Sequence, residues 1–131
     1  DIDASKGRAV DRNILDSSLR IRNTIIAGCD IPVKYTASTT DNTGWNDAAA
    51  QSWFTTSFFG NSVLPTVDDA RFVNPFNYTN PDYAPFGNSP AATGASFTDP
   101  KLATGFTPVN FRGAIGPSGA DATWWKGWTR F

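Results

Sequence analysis

Ser18 to Cys29 reads SLRIRNTIIAGC, and this stretch decides the expected fold. Leu19, Ile21 and Ile25 fall on one face while Arg20 and Arg22 fall on the other, the period of two that marks a half-buried β-strand. Asn23 interrupts the alternation, as a turn or bulge residue does. A second short strand is expected from Ile31 to Tyr35. Upstream, Asp1 to Asp16 is polar and poorly periodic, and reads as an extended arm or loop. Downstream, Thr36 to Gly44 (TASTTDNTG) is a polar loop. Asn46-Asp47 ahead of AAAQSWFTTSFF is an N-cap signal, which predicts a helix from about Asp47 to Ser57 stopped by Gly60-Asn61. Ala49, Trp53, Phe54 and Phe58 form its apolar stripe, with core packing as the expected role.

From Ser62 onward turn residues dominate. Val73 to Ser89 carries Asn-Pro, Asn-Tyr-Thr-Asn-Pro and Gly-Asn-Ser-Pro in close succession. Phe72, Phe76, Tyr78, Tyr83 and Phe86 are interleaved with these turns and are expected to pin them, giving ordered coil. The last stretch, Phe106 to Phe131, holds 3 of the chain's 5 Trp. A tail this apolar is expected to be buried in its own domain or in a partner.

Composition narrows the function. The 131 residues make one domain or a piece of one, with 40% hydrophobic, 14% aromatic and 18% charged residues. A formal net charge of -1, from 11 basic and 12 acidic residues, provides no basic stripe for nucleic acid or for an anionic membrane. No apolar run reaches the length of a membrane span. With no His, a Ser-His-Asp triad is impossible within this chain, and zinc and redox-metal sites lack their usual ligands. Cys29 is the single Cys, which excludes an internal disulfide and reads as a small buried hydrophobe. The absence of Met, with Asp1 in first place, leads to the expectation that the chain was cut from a larger precursor.

All 12 acidic residues are Asp. Asp68-Asp69 is the one adjacent pair. Paired carboxylates serve glycoside hydrolysis or Ca²⁺ binding, but Asp is also a turn residue, and solvated or capping roles are expected. Asp41 and Asn42 are the candidate pair for a weak calcium site; no other cofactor is expected. Exposed aromatic side chains beside polar turns stack on sugar rings, which makes Trp124, Trp125, Trp128, Tyr78 and Tyr83 the candidates for contact with a partner or a glycan. Trp124 and Trp125, if extended, point opposite ways. Arg112, Gly113 and Trp53 are expected to be structural, with Arg112 bound to carbonyls or a carboxylate. Asn77-Tyr78-Thr79 is a glycosylation acceptor pattern, relevant in a glycosylating host, and the Ser/Thr-rich Thr36 to Thr43 is a further candidate for O-glycans.

Several motifs taken together resemble a known family: the strand ending Asn-Thr-Ile-Ile-Ala-Gly, the Ala/Trp/Phe helix, Phe72-Val73-Asn74-Pro75-Phe76, Asn80-Pro81-Asp82-Tyr83-Ala84-Pro85, Asn88-Ser89-Pro90-Ala91-Ala92, Phe106-Thr107-Pro108-Val109-Asn110-Phe111-Arg112-Gly113-Ala114 and Trp125-Lys126-Gly127-Trp128-Thr129. From Leu19 to Phe131 the chain resembles the C-terminal region of large secreted Bacteroidota-type proteins with a predicted right-handed parallel β-helix, mostly of unassigned function. The resemblance implies a mainly β fold with ordered coil and one helix: terminal strands of a right-handed parallel β-helix plus its C-terminal cap. It divides the chain into an N-terminal arm (1–18), terminal strands and loop (19–45), and a helix with an aromatic-rich cap (46–131). It also implies a secreted, extracellular or cell-surface setting. The expected function is a structural subunit or cap without catalysis of its own, whatever activity its precursor has. The partner would be the upstream fragment or other subunits of a surface assembly. The alternative is a polysaccharide-binding module of a glycan-interacting or glycan-degrading surface protein.

Overall fold

The computed structural model describes residues 2–3, 10–37 and 43–128. Within them lie three α-helices, α1 (Val10–Leu15), α2 (Asp47–Phe54) and α3 (Gly119–Thr123). Six strands accompany them: β1 (Ile2–Asp3), β2 (Ile25–Ala27), β3 (Tyr35–Thr36), β4 (Ser62–Leu64), β5 (Phe72–Asn74) and β6 (Asp82–Pro85). The strands pair two at a time, β1 with β3, β2 with β4 and β5 with β6. The chain divides into two compact units, residues 1–63 and 64–131.

This overturns the parallel β-helix. A solenoid stacks strand upon strand in register, and among the described residues no sheet exceeds two strands. The alternating stretch fails to extend because its backbone leaves the β region. Asn23 within it adopts positive φ (53°), as does Ser17 just ahead of it (62°), and only Ile25–Ala27 stays in strand geometry. Leu19, Ile21 and Ile26 instead pack against a cluster of Ile14, Val33, Tyr35, Ala50 and Phe54, joined by Trp45, Trp53 and Val63. The expectation of one helix is also corrected, since α1 forms inside the stretch read as an arm and α3 inside the tail.

The first unit is organised by α2. Asn46 caps it, its side chain accepting from the Ala49 N–H at 2.9 Å. Asp47 accepts the Tyr35 N–H, which fixes the start of β3 to the start of α2. The helix stops at Phe54, three residues short of the expected Ser57, and a 3₁₀ turn, Ser57–Phe59, follows before Gly60. Asn61 then joins three segments. Its side chain accepts the Thr24 N–H at 2.9 Å and donates to the carbonyls of Ile21 (2.8 Å) and Phe54 (2.9 Å). Cys29 is exposed beyond β2, which corrects its reading as a buried hydrophobe.

The second unit is built around small residues. Ala70, Ala84, Ala91, Ala92 and Ala122 are buried with Trp125. Part of what reads as coil is an antiparallel hairpin, β5 with β6, in the register Phe72 opposite Pro85 and Asn74 opposite Asp82, with an irregularity between Phe72 and Asn74. Buried Ser89 fastens the segment after β6: its hydroxyl donates to the Ala70 carbonyl at 2.6 Å and accepts the Ala91 N–H at 3.0 Å. Asp99 caps the 3₁₀ turn Pro100–Leu102 by accepting from Lys101 N at 3.0 Å. The capping and turn roles expected of the Asp residues hold there and at Asp69, which accepts from Thr66 N (3.0 Å) and Thr66 Oγ1 (2.8 Å). Those two bonds, the hydroxyl first, hold the Asp69 carboxyl below its usual 3.8.

Candidate functional site

The candidate calcium pair Asp41 and Asn42 lies outside the described residues. Among the described residues no three His, Cys or Asp side chains gather as a metal-binding group. No helix there is long and apolar enough to cross a membrane.

The aromatic candidates separate into two sets. Trp125 is buried, packs edge-on against Tyr83 with ring centroids 5.2 Å apart, and donates its indole N–H to the Ala122 carbonyl at 3.0 Å. Both rings therefore serve the interior of the second unit. Trp124 and Trp128 face solvent, Trp128 being 82% exposed, and meet edge to face at 5.8 Å and 90°. The two adjacent Trp diverge because they follow α3 through a helical turn, with Trp124 in the αR region; the extended geometry assumed from sequence is absent. Trp124 is oriented by an indole bond to the Ala114 carbonyl at 2.8 Å. Tyr78 is exposed at the tip of a turn that Asn77 organises, its amide oxygen accepting from Thr79 N, Thr79 Oγ1 and Asn80 N.

The structural candidates behave differently from one another. Trp53 is half-buried on the first core and meets Phe59 edge-on at 5.7 Å. Gly113 holds φ +100°, a conformation that L side chains rarely adopt. Arg112 lies across Gly94, where φ is +90° and a Cβ would collide with the guanidinium. Its backbone N–H donates to the Ala91 carbonyl at 2.8 Å, but its buried Nε has no hydrogen-bond partner among the described residues, so packing takes the place of the carbonyl or carboxylate clasp expected there.

Two surface features escape a sequence reading. The first is a ledge on the first unit. Trp53, Phe59 and Phe58 stack edge-on in series, 5.7 Å and then 5.5 Å between centroids. Phe58 is exposed, with the Arg22 guanidinium carbon 4.9 Å from its ring centre and Arg22 Nη2 donating to the Phe58 carbonyl at 3.4 Å. Phe58 belongs to the predicted helical stripe, but the helix ends four residues earlier and the 3₁₀ turn carries the ring outward.

The second is an open groove of about 600 Å³ on the second unit. Its lining includes Phe72, Phe76 and Phe86 together with Asp68, Arg71, Asn74 and Asn88. Phe76 and Phe86 are exposed, which corrects their reading as pins of the coil; Phe72 is half-buried. Arg71 occupies the left-handed region (φ 54°, ψ 56°), held by its own N–H donating to Asp68 (2.9 Å), its carbonyl accepting from Phe86 N (2.9 Å) and Nη1 donating to the Asn88 carbonyl (3.3 Å). The Asn-Pro and Gly-Asn turns of the sequence signalled the loops on this rim, though not that they enclose a groove.

No known protein family, no curated protein and no solved structure matches this chain.

Proposed function

We propose that this chain is a non-catalytic structural subunit that docks onto other protein chains in a secreted, cell-surface assembly. The observation that carries this reading is the Trp53–Phe59–Phe58 ledge with Arg22 over its outer ring. Scattered exposed apolar residues are ordinary on any surface. A linked aromatic series topped by a guanidinium is the composition on which protein interfaces concentrate their binding energy. Its rings are already fixed against one another, so docking costs little side-chain entropy.

Hydroxyl-radical footprinting tests this on the protein in its native cell-surface material and on the isolated chain. Phe58 is expected to be oxidised in the isolated chain and protected in the native material. Phe58→Ser is expected to release the chain from copurifying protein without unfolding it, because Phe58 is 72% exposed. Equal oxidation in both states, or unchanged copurification of Phe58→Ser, overturns the reading.

A further inference from the structure

We propose that the groove on the second unit binds a neutral pyranose unit of a glycan. This site is separate from the ledge and stands or falls independently of the assembly reading. The volume, about 600 Å³, is that of a small-ligand site.

The lining selects the ligand class. Phe76 and Phe86 are exposed rings at the groove, and an aromatic face carries partial negative charge. A pyranose ring presents weakly positive C–H groups on its faces and hydroxyls around its edge. The polar lining is balanced. Asp68 only accepts hydrogen bonds, Arg71 only donates, and the amides of Asn74 and Asn88 do both. A hydroxyl also does both, so a ring of hydroxyls can satisfy this set. One carboxylate and one guanidinium leave no net charge. An anionic ligand gains Arg71 but meets Asp68, and a cationic one the reverse, so neither charge is favoured and the neutral sugar meets no repulsion.

The guanidinium is also pre-positioned. Arg71 sits in a backbone region that a bulky residue seldom adopts, held there by backbone bonds to Asp68 and Phe86, and its Nη1 donates to the Asn88 carbonyl at 3.3 Å. Glycine would take φ +54° with less strain, so the arginine side chain is present at a conformational cost. Holding the donor fork in place beforehand spares its ordering when a ligand arrives.

The test is a ¹H–¹⁵N titration of the chain, reading Arg71 Nε–H and the Asn74 and Asn88 side-chain amides. The probes are neutral cello-, xylo-, manno- and malto-hexaose, with oligogalacturonate as the acidic comparison. At least one neutral oligosaccharide is expected to shift these signals saturably. Phe76→Ala and Phe86→Ala are each expected to weaken binding about tenfold or more, with unchanged far-ultraviolet circular dichroism. Arg71→Gly is expected to weaken binding while keeping or raising the melting temperature, which separates loss of the site from loss of the fold. Three results overturn the proposal: no shift with any neutral probe up to about 10 mM, binding of the acidic probe alone, or saturable shifts centred on Trp124, Trp128 or Tyr78 that survive Phe76→Ala.

Discussion

The two units hold themselves together by different means. In residues 1–63 the buried cluster is made of large side chains, Ile14, Val33, Tyr35 and Phe54, with only Ala50 small. Among the described residues of 64–131 the buried apolar side chains are alanines, Pro81 and Pro85 around one large ring, Trp125. Alanine buries little apolar area, so the second unit gains less from transfer out of water and depends more on hydrogen-bonded turns and on Trp125. Buried polar groups differ too: Ser89 and Asp99 in the second unit are bonded and fasten turns, whereas Asp11, buried in the first, has neither carboxylate oxygen hydrogen-bonded among the described residues. A chain segment poor in large apolar residues can still be ordered if its turns satisfy their own backbone groups.

The comparison is broken most directly by removing the largest buried ring from each unit. Phe54→Ala, at 2% exposure, is expected to cost about 3–5 kcal/mol, read by hydrogen exchange at the α2 amides. Trp125→Ala removes the one large ring buried among the described residues of the second unit, together with the surface on which Tyr83 packs. A loss in the same range is expected at the β6 amides. A much smaller loss there would mean that the hydrogen-bonded turns suffice without the ring.

The next effect sharpens the role of polar bolts where apolar packing is strong. Asn61→Ala is expected to cost about 2–3 kcal/mol in urea unfolding, because Thr24 N and two carbonyls lose partners in a partly buried site. Asn61→Asp keeps an acceptor for Thr24 N and loses both donors, so it is expected to be no better than the alanine.

The smallest effect concerns Asp69. Its folded pKa lies below 3.8, so its contribution to stability is present above the unfolded value and is lost as the pH falls through the folded one. The side chain is fully exposed and screened, and the effect on unfolding is slight. A carboxyl NMR titration should find Asp69 below 3.8, and Thr66→Val should move it upward by removing the hydroxyl bond, its largest cause. An unchanged value in Thr66→Val would assign the shift to the backbone bond and Arg71.

Local signals were legible wherever the cause is local. Asn46 as the cap of α2 and Asn23 as a turn residue each need only a few neighbouring residues. The stretch Leu19 to Ala27 shows where such reading stops. Its alternation is genuine, but alternation states only that one face is apolar, not what will cover it. Here the cover is α2 and its neighbours, so the chain bends at Asn23 and joins a mixed core instead of stacking as a strand. The same limit governs the aromatics: Trp125 and Trp124 are adjacent and chemically alike, yet one is buried and the other exposed. Which one turns inward depends on the phase of α3, which no short-range pattern encodes.

The amino-acid sequence by itself determined the cap at Asn46, the turn at Asn23 and the lack of a histidine side chain among these 131 residues, because each follows from a residue's own conformational range and functional groups. Tertiary structure alone decided which apolar residues form the cores, that Phe58 and Phe86 face outward, and that Asp68, Arg71, Asn74 and Asn88 line one groove. Those outcomes depend on contacts between residues distant in sequence, and burial is a property of the surface that remains once every element has found its cover.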